Sequence, residues 1–477
     1  MSERQERKVE VAVIGAGSAG LNAFRWVKAH TESVVMIESG PYGTTCARVG
    51  CMPSKLLIAA AEAAHDIERA HGFGVHAEPP VINGVEVMDR VRRERDRFVG
   101  FVMEDTEEIP EQHHVRGHAK FLDDHTLQVD DHTRIHAERI VIATGSTPSI
   151  LPMFEGLGDR LIINDDVFDW TDLPESVAVF GPGVIGLELG QALHRLGVRI
   201  RMFGLSGRFL RALGSSEVQE YALRTFQSEF PLDPGVQGLN LERRGDQVVL
   251  RFIDRESGKE TEEQFDYVLA ATGRIPNVKG LALENTSLAL DEKGIPEYDP
   301  TTMRCGKNRI FIAGDVNNDL PLLHEASDEG RIAGENAGRY PQVQPGLRRS
   351  PLSVIFSDPQ IAVVGKSWTE LQSRPFVTGR VSFENQGRSR VMLRNRGLMH
   401  VYADPISGQF LGAQIFGPQA EHLGHLLSWA HQQRLTIAQM LEMPFYHPVI
   451  EEGLRTALRD ADTQVQATPA LLLRKSA

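Results

Sequence analysis

Hydrophobic residues mark a strand, a helix and a second strand at the start of the chain. Residues 9–14 form a short apolar run with the composition of a buried β-strand. A glycine-rich loop at 15–20 follows, and the next stretch, to about His30, has a helical pattern. A second apolar run, residues 33–38, ends in an acidic residue. This order predicts a βαβ unit, in which two parallel strands are joined by a helix.

The same order of elements recurs further along the chain. Residues 176–203 contain an apolar run, a second glycine loop at 181–186, a helical stretch and another apolar run. Each copy is followed later by the tripeptide Ala-Thr-Gly, at 143–145 and at 271–273. The repeat has the length of a domain and therefore predicts two nucleotide-binding domains of related fold.

The rest of the chain mixes segments with the hydrophobic pattern of helices and segments with that of strands. A helix is predicted at 85–105, short strands at 117–129 and buried strands at 139–143 and 309–313. After a connector at 340–351, the pattern predicts strands at 352–356, 397–403 and 409–417, and helices at 420–432, 437–441 and 450–461. Residues 463–477 have weak patterning, and we expect them to form a loose tail.

Composition narrows the class of protein. Of 477 residues, 41% are hydrophobic and 24% are charged, which is typical of a globular protein with two or three domains. The 51 basic and 64 acidic residues give a formal charge of -13, which argues against nucleic acid and anionic membranes as partners. No uncharged apolar run approaches the roughly 18 residues of a membrane span. Only three cysteines occur, so a secreted disulfide framework is excluded and a reducing cytoplasm is expected.

The first glycine loop has the spacing of a dinucleotide-binding turn. Gly15 permits the tight turn, Gly17 lets the backbone approach a pyrophosphate, and Gly20 allows the helix to pack closely on the strand. The phosphates would lie at the helix N-terminus, where free N–H groups favour anions. Glu38 follows Gly20 by 18 residues, a suitable position for an acid that binds a ribose.

The second loop repeats the glycines but lacks the acid. Gly181, Gly183 and Gly186 have the same spacing, yet 18 residues after Gly186 stands Gly204. An acid at that point would hold the 2′-hydroxyl of NAD, and its absence removes a repulsion against the 2′-phosphate of NADP. Ser206 and Arg208 are available nearby. The sequence therefore predicts a nicotinamide nucleotide and leaves the choice between NAD and NADP open.

Cys46 and Cys51 are the strongest chemical signal in the sequence. Only Cys305 remains elsewhere and no histidine cluster lies nearby, so a zinc site is not supported and no metal is predicted. Pro53 indicates that a helix starts at Cys51. A helix N-terminus lowers the pKa of a thiol, and the thiolate is the reactive form. A redox-active cysteine pair is the favoured interpretation.

These motifs together resemble the flavoprotein pyridine-nucleotide disulfide oxidoreductases, and most closely their dihydrolipoamide dehydrogenase branch. The matching pieces cover nearly the whole chain in family order: residues 43–55, both glycine loops, 271–277, Gly314-Asp315, 358–365 and 447–452. The resemblance implies an α/β fold with two Rossmann-like dinucleotide-binding domains and a C-terminal α+β dimerisation domain. It places the FAD-binding domain at 1–150 and 274–347, the NAD(P)-binding domain at 151–273 and the interface domain at 348–477.

The resemblance also implies roles for individual residues. Cys51 resembles the flavin-proximal cysteine and Cys46 the one that exchanges with substrate, while Lys55 resembles a lysine near the flavin that pairs with the position of Glu188. His447 resembles the acid/base supplied by the other subunit of a homodimer, and Glu452 its orienting carboxylate. The cofactor-binding set is Gly15, Gly17, Gly20, Glu38, Gly145, Gly314 and Asp315 for FAD, and Gly181, Gly183, Gly186 and Gly273 for NAD(P).

The function implied is FAD-dependent oxidation of dihydrolipoamide, carried on a lipoyl domain, with NAD as acceptor. The segment 416–420 resembles the interface motif of this branch, and the chain end has no additional cysteine pair. Three departures, Thr44, Gly204 and Val449, keep two alternatives open. One is an NADPH-dependent reductase of another disulfide, similar to glutathione reductase, and the other is a flavoprotein of low turnover that acts as a binding or redox-sensing subunit.

Overall fold

The computed structural model describes residues 5–255 and 257–475. The first 150 residues contain strands β1 (Gln5–Ile14), β2 (Val34–Glu38), β3 (His114–Arg116), β4 (Ala119–Asp123), β5 (Thr126–Val129), β6 (Thr133–Ile142) and β7 (Ser146–Pro148), with helices α1 (Ser18–Lys28), α2 (Thr45–Val49), α3 (Cys51–Arg69) and α4 (Gly84–Glu107). Between residues 151 and 272 lie β8 (Leu161–Ile162), β9 (Ser176–Phe180), β10 (Arg199–Phe203), β11 (Leu232–Asp233), β12 (Gln237–Arg244), β13 (Gln247–Ile253), β14 (Glu260–Phe265) and β15 (Tyr267–Ala270), with α5 (Asn164–Val167), α6 (Val184–Arg195) and α7 (Ser216–Gln227).

The described residues from 273 onward contain fewer strands. Residues 273–349 hold β16 (Arg274–Pro276), β17 (Ile310–Ile312) and α8 (Leu323–Gly338). The remainder holds β18 (Leu352–Ile355), β19 (Gln360–Gly365), β20 (Val377–Ser382), β21 (Leu398–Ala403) and β22 (Phe410–Gly417), with α9 (Trp368–Gln372), α10 (Gly387–Val391), α11 (Ala420–Gln432), α12 (Ile437–Leu441) and α13 (Glu451–Lys475). Among the described residues, no helix combines the length and apolarity needed to cross a membrane.

The chain forms two compact units. The first contains the described residues up to Leu56 together with Asp89–Ile150 and Gly273–Arg349. The second contains Leu57–Met88, Leu151–Thr272 and the described residues from Ser350 onward. The division into three domains at 150, 273 and 347 stays a prediction.

A mixed sheet organises the first unit: β3, β2, β1, β6 and β17 are parallel, whereas β5 and β4 continue it antiparallel. Its strands lie in the order β3-β2-β1-β6-β5-β4, with β17 also paired to β6. Val11 of β1 is in register with Val34 on one side and Arg139 on the other, and both neighbouring strands run parallel to β1. The strand is fully buried from Val11 to Val13, as expected for the centre of a sheet covered on both faces. The carboxyl ends of β1, β2 and β6 therefore meet at one edge.

Helices α1 and α8 cover one face of this sheet at close range. Gly330 and Gly334 of α8 lie against the α1 backbone, and Cβ atoms at these positions would come within 2.9 Å of Ala19 and 2.8 Å of Ala23. Buried side chains from both helices, including Phe24 and Ile332, complete the core of this layer. The small residues let the two helix axes approach, which fixes α8 over the sheet.

The second unit repeats the parallel arrangement and adds antiparallel sheets. Its parallel sheet has the order β11-β10-β9-β15-β8, and β12-β13-β14 form an antiparallel sheet beside it. The C-terminal portion is an antiparallel sheet in the order β18-β19-β22-β21-β20, with α11 and α13 packed on it. The predicted α/β fold with two Rossmann-like βαβ units and a C-terminal α+β portion is confirmed.

The predicted loose tail is wrong for residues 463–475, because α13 continues to Lys475. Val465 packs against the C-terminal core, and Gln464 donates a hydrogen bond of 2.7 Å to the carbonyl oxygen of Thr378. The bond to Thr378 of β20 and the packing of Val465 support the helix beyond the point where its apolar periodicity weakens. Residues 476 and 477 lie outside the described residues.

The close approach of α1 and α8 leads to a stability prediction. We expect Gly330→Ala to lower the apparent melting temperature, because the added methyl group must displace the α1 backbone at a cost of roughly 1–3 kcal/mol. Gly100→Ala in α4 is the control, since a Cβ there meets no described atom within 4 Å apart from the adjoining backbone of α4, and we expect a small stabilisation. Circular dichroism melting of the two variants makes the comparison. Equal melting temperatures for Gly330→Ala and the parent would contradict the packing described above.

Candidate active site

The first glycine loop joins β1 directly to α1. Gly15 has φ +109°, and a Cβ there would lie 2.8 Å from the carbonyl carbon of Ala143. A Cβ at Gly20 would lie 2.8 Å from the carbonyl carbon of Gly15. At Gly17, by contrast, no described atom outside the adjoining backbone lies within 4 Å of the Cβ position. The loop is thus closed towards the sheet and open at the helix N-terminus, the side from which an anion can reach the N–H groups.

Glu38 lies at the carboxyl end of β2, beside this loop. One carboxylate oxygen accepts the N–H of Ala16 at 2.7 Å, and the other accepts the N–H of Gly40 at 2.7 Å. These bonds hold the carboxylate at the edge where the strands end. Each oxygen keeps a further lone pair, so Glu38 can still accept hydroxyl groups of a ribose.

Asp315 lies in a turn after β17 and is fixed by Ser146, which the sequence motifs do not include, with support from Arg274 of the 271–277 motif. Its carboxylate accepts the hydroxyl of Ser146 at 2.7 Å, and the Ser146 oxygen accepts Nε of Arg274 at 2.7 Å. Gly145, with φ +68°, lies next to Ser146, and its carbonyl oxygen accepts the N–H of Asn277 at 2.9 Å. Sequence reasoning missed Ser146, because a single serine carries no spacing signal.

The second glycine loop reproduces the first in the second unit. Gly181 has φ +108°, and a Cβ there would lie 2.8 Å from the carbonyl carbon of Ala271. A Cβ at Gly186 would lie 3.2 Å from the carbonyl carbon of Gly181, whereas the Cβ position at Gly183 is open. Gly273, with φ +112°, is open as well. The same backbone geometry therefore occurs twice.

Cys46 and Cys51 occupy the ends of two successive helices. Cys46 lies in the short α2 and Cys51 is the first residue of α3, with Gly50 between the helices. A Cβ at Gly50 would lie 3.2 Å from Cα of Cys46, so glycine permits the tight connection. Both residues are in the thiol form, Cys46 half-buried and Cys51 exposed. The structure thus brings together the two cysteines that the sequence singled out.

The two thiols interact electrostatically. A hydrogen bond to Cys51 is the main cause of a raised pKa at Cys46, with burial and the charge of Cys51 acting in the same direction. Lys55, one helical turn after Cys51, opposes this shift through its positive charge. Cys305 is fully buried, and burial raises its pKa to about 12, so it is not a reactive thiol.

Thr44 precedes this pair in an unfavourable backbone conformation. Its φ of +59° and ψ of 151° belong to a region that glycine adopts readily and a β-branched residue does not. Its hydroxyl accepts the N–H of Ala47 at 3.4 Å and so caps α2. Strain of roughly 1–3 kcal/mol is the usual cost of such a conformation.

Lys55 and Glu188 lie in different units, and their pairing stays a prediction. Nζ of Lys55 is 3.4 Å from the hydroxyl of Ser54. Glu188, on α6, is 5% exposed, and its carboxylate accepts the N–H of Phe356 at 2.9 Å.

His447 and Glu452 form a hydrogen-bonded pair at the start of α13. Nδ1 of His447 lies 3.0 Å from one carboxylate oxygen of Glu452 and 3.2 Å from the other. Arg455 donates to the same carboxylate at 2.8 Å. The pKa of Glu452 is lowered, chiefly by the hydrogen bond to His447. The His447 side chain is 80% exposed, so Glu452 orients an imidazole whose other nitrogen faces outward.

Comparison with known families agrees with this geometry. Residues 9–330 match the model of the pyridine nucleotide-disulphide oxidoreductases, and residues 352–458 match the dimerisation domain of the same family. The chain belongs to this family. The second match supports formation of a homodimer.

Curated relatives extend along the whole chain of this oxidoreductase. It is 30% identical to dihydrolipoyl dehydrogenase from Haloferax volcanii over 461 residues, which cover 95% of this chain and 96% of that protein. It is also 30% identical to dihydrolipoyl dehydrogenase 3 from Pseudomonas aeruginosa, with 94% and 97% covered. The chain is therefore an FAD-dependent pyridine nucleotide disulphide oxidoreductase similar to dihydrolipoyl dehydrogenase.

Solved structures show the same fold. LpdA from Mycobacterium tuberculosis superposes with a TM-score of 0.78 at 23% identity, covering 94% of this chain and 99% of that one. The HOCl-induced flavoprotein disulfide reductase RclA from Escherichia coli superposes with a TM-score of 0.77 at 20% identity, covering 95% and 99%. At these identities the similarity shows the fold alone.

The residues present fit the cofactors of this family. Oxidoreductases of the dihydrolipoyl dehydrogenase type use FAD and NAD, in agreement with the cofactors that the resemblance implied. The open backbone at Gly17 and Gly183 suits one pyrophosphate in each unit. Glu38 and Asp315 supply carboxylates that can accept sugar or ribityl hydroxyls in the first unit.

Gly204 departs from the pattern for a steric reason. A Cβ there would lie 2.7 Å from the carbonyl carbon of Pro234. The N–H of Gly204 donates to Asp233 at 2.6 Å, and its carbonyl oxygen accepts the N–H of Val236 at 2.9 Å. The segment after β11 therefore occupies the space that an acidic side chain would need.

This packing predicts the outcome of restoring the acid. We expect Gly204→Glu to lower the melting temperature, because the new side chain must displace residues 234–236. For the same reason we expect no decrease in the dissociation constant for NAD. Ser206→Glu is the matched control, since Ser206 is exposed and accommodates the same charge. Melting curves and NAD titrations compare the variants. A Gly204→Glu protein with an unchanged melting temperature and tighter NAD binding would contradict the steric explanation, because it would show that residues 234–236 move aside at little cost.

Proposed function

We propose that this oxidoreductase oxidises protein-bound dihydrolipoamide and reduces NAD through a disulfide between Cys46 and Cys51. The observation that carries the proposal is the hydrogen-bonded thiol pair at the start of α3, in the unit that contains the FAD-type glycine loop. The relatives named dihydrolipoyl dehydrogenase support this choice of substrate.

The thiol chemistry balances as a two-step exchange. A substrate thiolate attacks Sγ of Cys46, the Cys46–Cys51 bond breaks, and Cys51 leaves as a thiolate. The second substrate thiolate then attacks the substrate sulfur of the mixed disulfide and releases Cys46. The substrate loses two electrons and two protons, and the enzyme disulfide gains the electrons. Bound FAD would supply the two-electron chemistry that links reoxidation of the Cys46–Cys51 pair to reduction of NAD.

Proton positions follow from the electrostatics of the pair. The raised pKa of Cys46 makes it the member that keeps its proton. Of the two substrate protons, one ends on Cys46 and the other is taken up by a base. We assign this base to the partner subunit's His447, oriented by a glutamate equivalent to the Glu452 that holds Nδ1 here. An exposed imidazole ring on each subunit is consistent with this exchange.

A second candidate function is favoured by Gly204. No acid stands at this point to repel a 2′-phosphate, and Arg208 is exposed nearby. An NADPH-dependent reductase would run the same exchange in the opposite direction on a different disulfide. The residues of the cysteine pair would keep their roles.

Substitution of the exchanging thiol tests the proposal. We expect Cys46→Ser to reduce dihydrolipoamide-dependent NAD reduction to background while FAD stays bound, because no disulfide can form. Cys305→Ala is the control and should retain turnover, since Cys305 lies in the core. Absorbance at the NADH band measures the rate, and the flavin spectrum measures the bound FAD. Undiminished turnover in Cys46→Ser would refute the disulfide mechanism.

A further inference from the structure

A buried carboxylate lies behind the turn that carries Asp315. Glu329, on α8, is 1% exposed. One of its oxygens accepts both the N–H of Gly314 at 2.7 Å and the side-chain amide of Asn317 at 2.7 Å. The other oxygen accepts Nη1 of Arg348 at 2.9 Å. The carboxylate therefore joins the turn at 314–317 to the connector that follows α8.

Arg348 is held in place by several acceptors. Besides Glu329, its guanidinium donates to Glu325 at 3.2 Å and lies 3.6 Å from Asp319. It also donates to the carbonyl oxygen of Pro300 at 3.4 Å. Its side chain is 22% exposed, so the charge is partly shielded from water. A neighbouring arginine, Arg349, pairs with Asp328 instead.

The hydrogen bonds of Glu329 favour the ionised form. All three groups that contact its oxygens are donors, and a proton on the oxygen that accepts both Gly314 and Asn317 would displace one of these bonds. A proton on the other oxygen would remove the charge that strengthens the bond from Arg348. Burial raises the pKa of Glu329 to about 7, while Gly314, Arg348 and Asn317 oppose the shift. The other titratable groups that act on it are Asp319 and Tyr298, and Glu325 of α8 shares Arg348 with it. Asp328, the preceding residue of α8, pairs with Arg349.

The turn matters because it sets the direction of Asp315. Gly314 adopts φ +80°, and the Asp315 carboxylate is held on its other side by Ser146. If the bonds that Gly314 and Asn317 donate to Glu329 are lost, the turn keeps only local support: the backbone bond from the Asn317 N–H to the Gly314 carbonyl oxygen at 2.9 Å, the bond from the Asn318 N–H to the Asp315 carbonyl oxygen at 3.1 Å, and the Ser146 bond to the carboxylate. A shift of a few tenths of an ångström in Asp315 weakens a charge-assisted hydrogen bond to a ligand hydroxyl.

We propose that Glu329 and Arg348 are positioning residues for FAD, which hold the turn at 314–317 so that Asp315 meets the ribityl hydroxyls. Neither residue touches the cofactor in this proposal. The inference rests on the role proposed for Asp315. It adds that FAD affinity in this chain depends on an ionised pair outside the cofactor site.

The pH dependence of FAD binding tests the proposal. Holoenzyme is diluted at pH values between about 5.5 and 8.5, and the flavin fluorescence gained on release gives the dissociation constant for FAD. We expect binding in the parent protein to weaken as the pH falls through about 7, where Glu329 gains its proton. Circular dichroism at each pH confirms that the fold is retained.

Three variants separate positioning from general stability. Glu329→Gln should weaken FAD binding about tenfold at pH 8 and flatten the profile, because the titrating group is gone. Arg348→Gln should move the midpoint to higher pH, since removal of a positive charge raises the pKa of Glu329. Arg349→Gln is the control and should follow the parent profile, because Arg349 pairs with Asp328.

The outcomes distinguish this inference from the proposed function. If the parent binds FAD, and both Glu329→Gln and Arg348→Gln match its affinity and pH profile, the positioning role is wrong and the disulfide mechanism stands. If Arg349→Gln shifts the profile as far as Arg348→Gln does, the shift arises from the loss of any nearby positive charge, and a specific role of the Glu329–Arg348 pair is wrong. A parent protein that binds no FAD at any pH overturns the proposed function and this inference together.

Discussion

The fold depends on backbone contacts that leave no room for a side chain. A Cβ at Gly15 would overlap the backbone of Ala143, after β6, and a Cβ at Gly20 would overlap the backbone of Gly15. The end of β1 is therefore packed directly against the start of α1 and the segment after β6. The same contacts recur at Gly181 and Gly186. Because the helix N-terminus is pressed against the strand end, its free N–H groups point to the edge where the parallel strands finish. The positions of Glu38 and Asp315 follow from that edge.

Buried charge is the second organising feature, and each unit contains a buried charge that is paired with an opposite one. Glu329 is compensated by Arg348 in the first unit, and Arg195 by Glu229 and Asp358 in the second, at 2.6 and 3.1 Å. Such pairs add little net stability, yet breaking one leaves an unpaired buried charge. Because its pKa is raised on folding, Glu329 makes the folded state less stable as the pH rises from about 4.5 to about 7. Over the same pH range Glu329 becomes ionised and gains its full hydrogen bonds to the turn at 314–317.

The sequence predicted the elements whose residues are close neighbours along the chain. The two glycine loops and the cysteine pair each lie within a few residues, so their spacing could indicate them, whereas the roles of His447 and Glu452 came from the resemblance of residues 447–452 to the family motif. The contacts of Ser146, Glu329 and Arg348 could not be predicted, because they join residues that are distant in sequence and carry no periodic signal. The helical tail was missed because its support comes from Thr378 on another strand. At Gly204 the missing acid was visible, but its steric cause, Pro234, was not.

The measurement that tests the central claim most directly is an anaerobic titration of the yellow protein with dihydrolipoamide, followed by NAD. We predict a long-wavelength absorption band on reduction, arising from contact between the Cys51 thiolate and the flavin, and loss of that band when NAD is added. Such a result would establish electron flow from the dithiol through the cysteine pair to NAD. Absence of the band with dihydrolipoamide, together with its appearance on addition of NADPH, would contradict the account and identify a reductase of another disulfide.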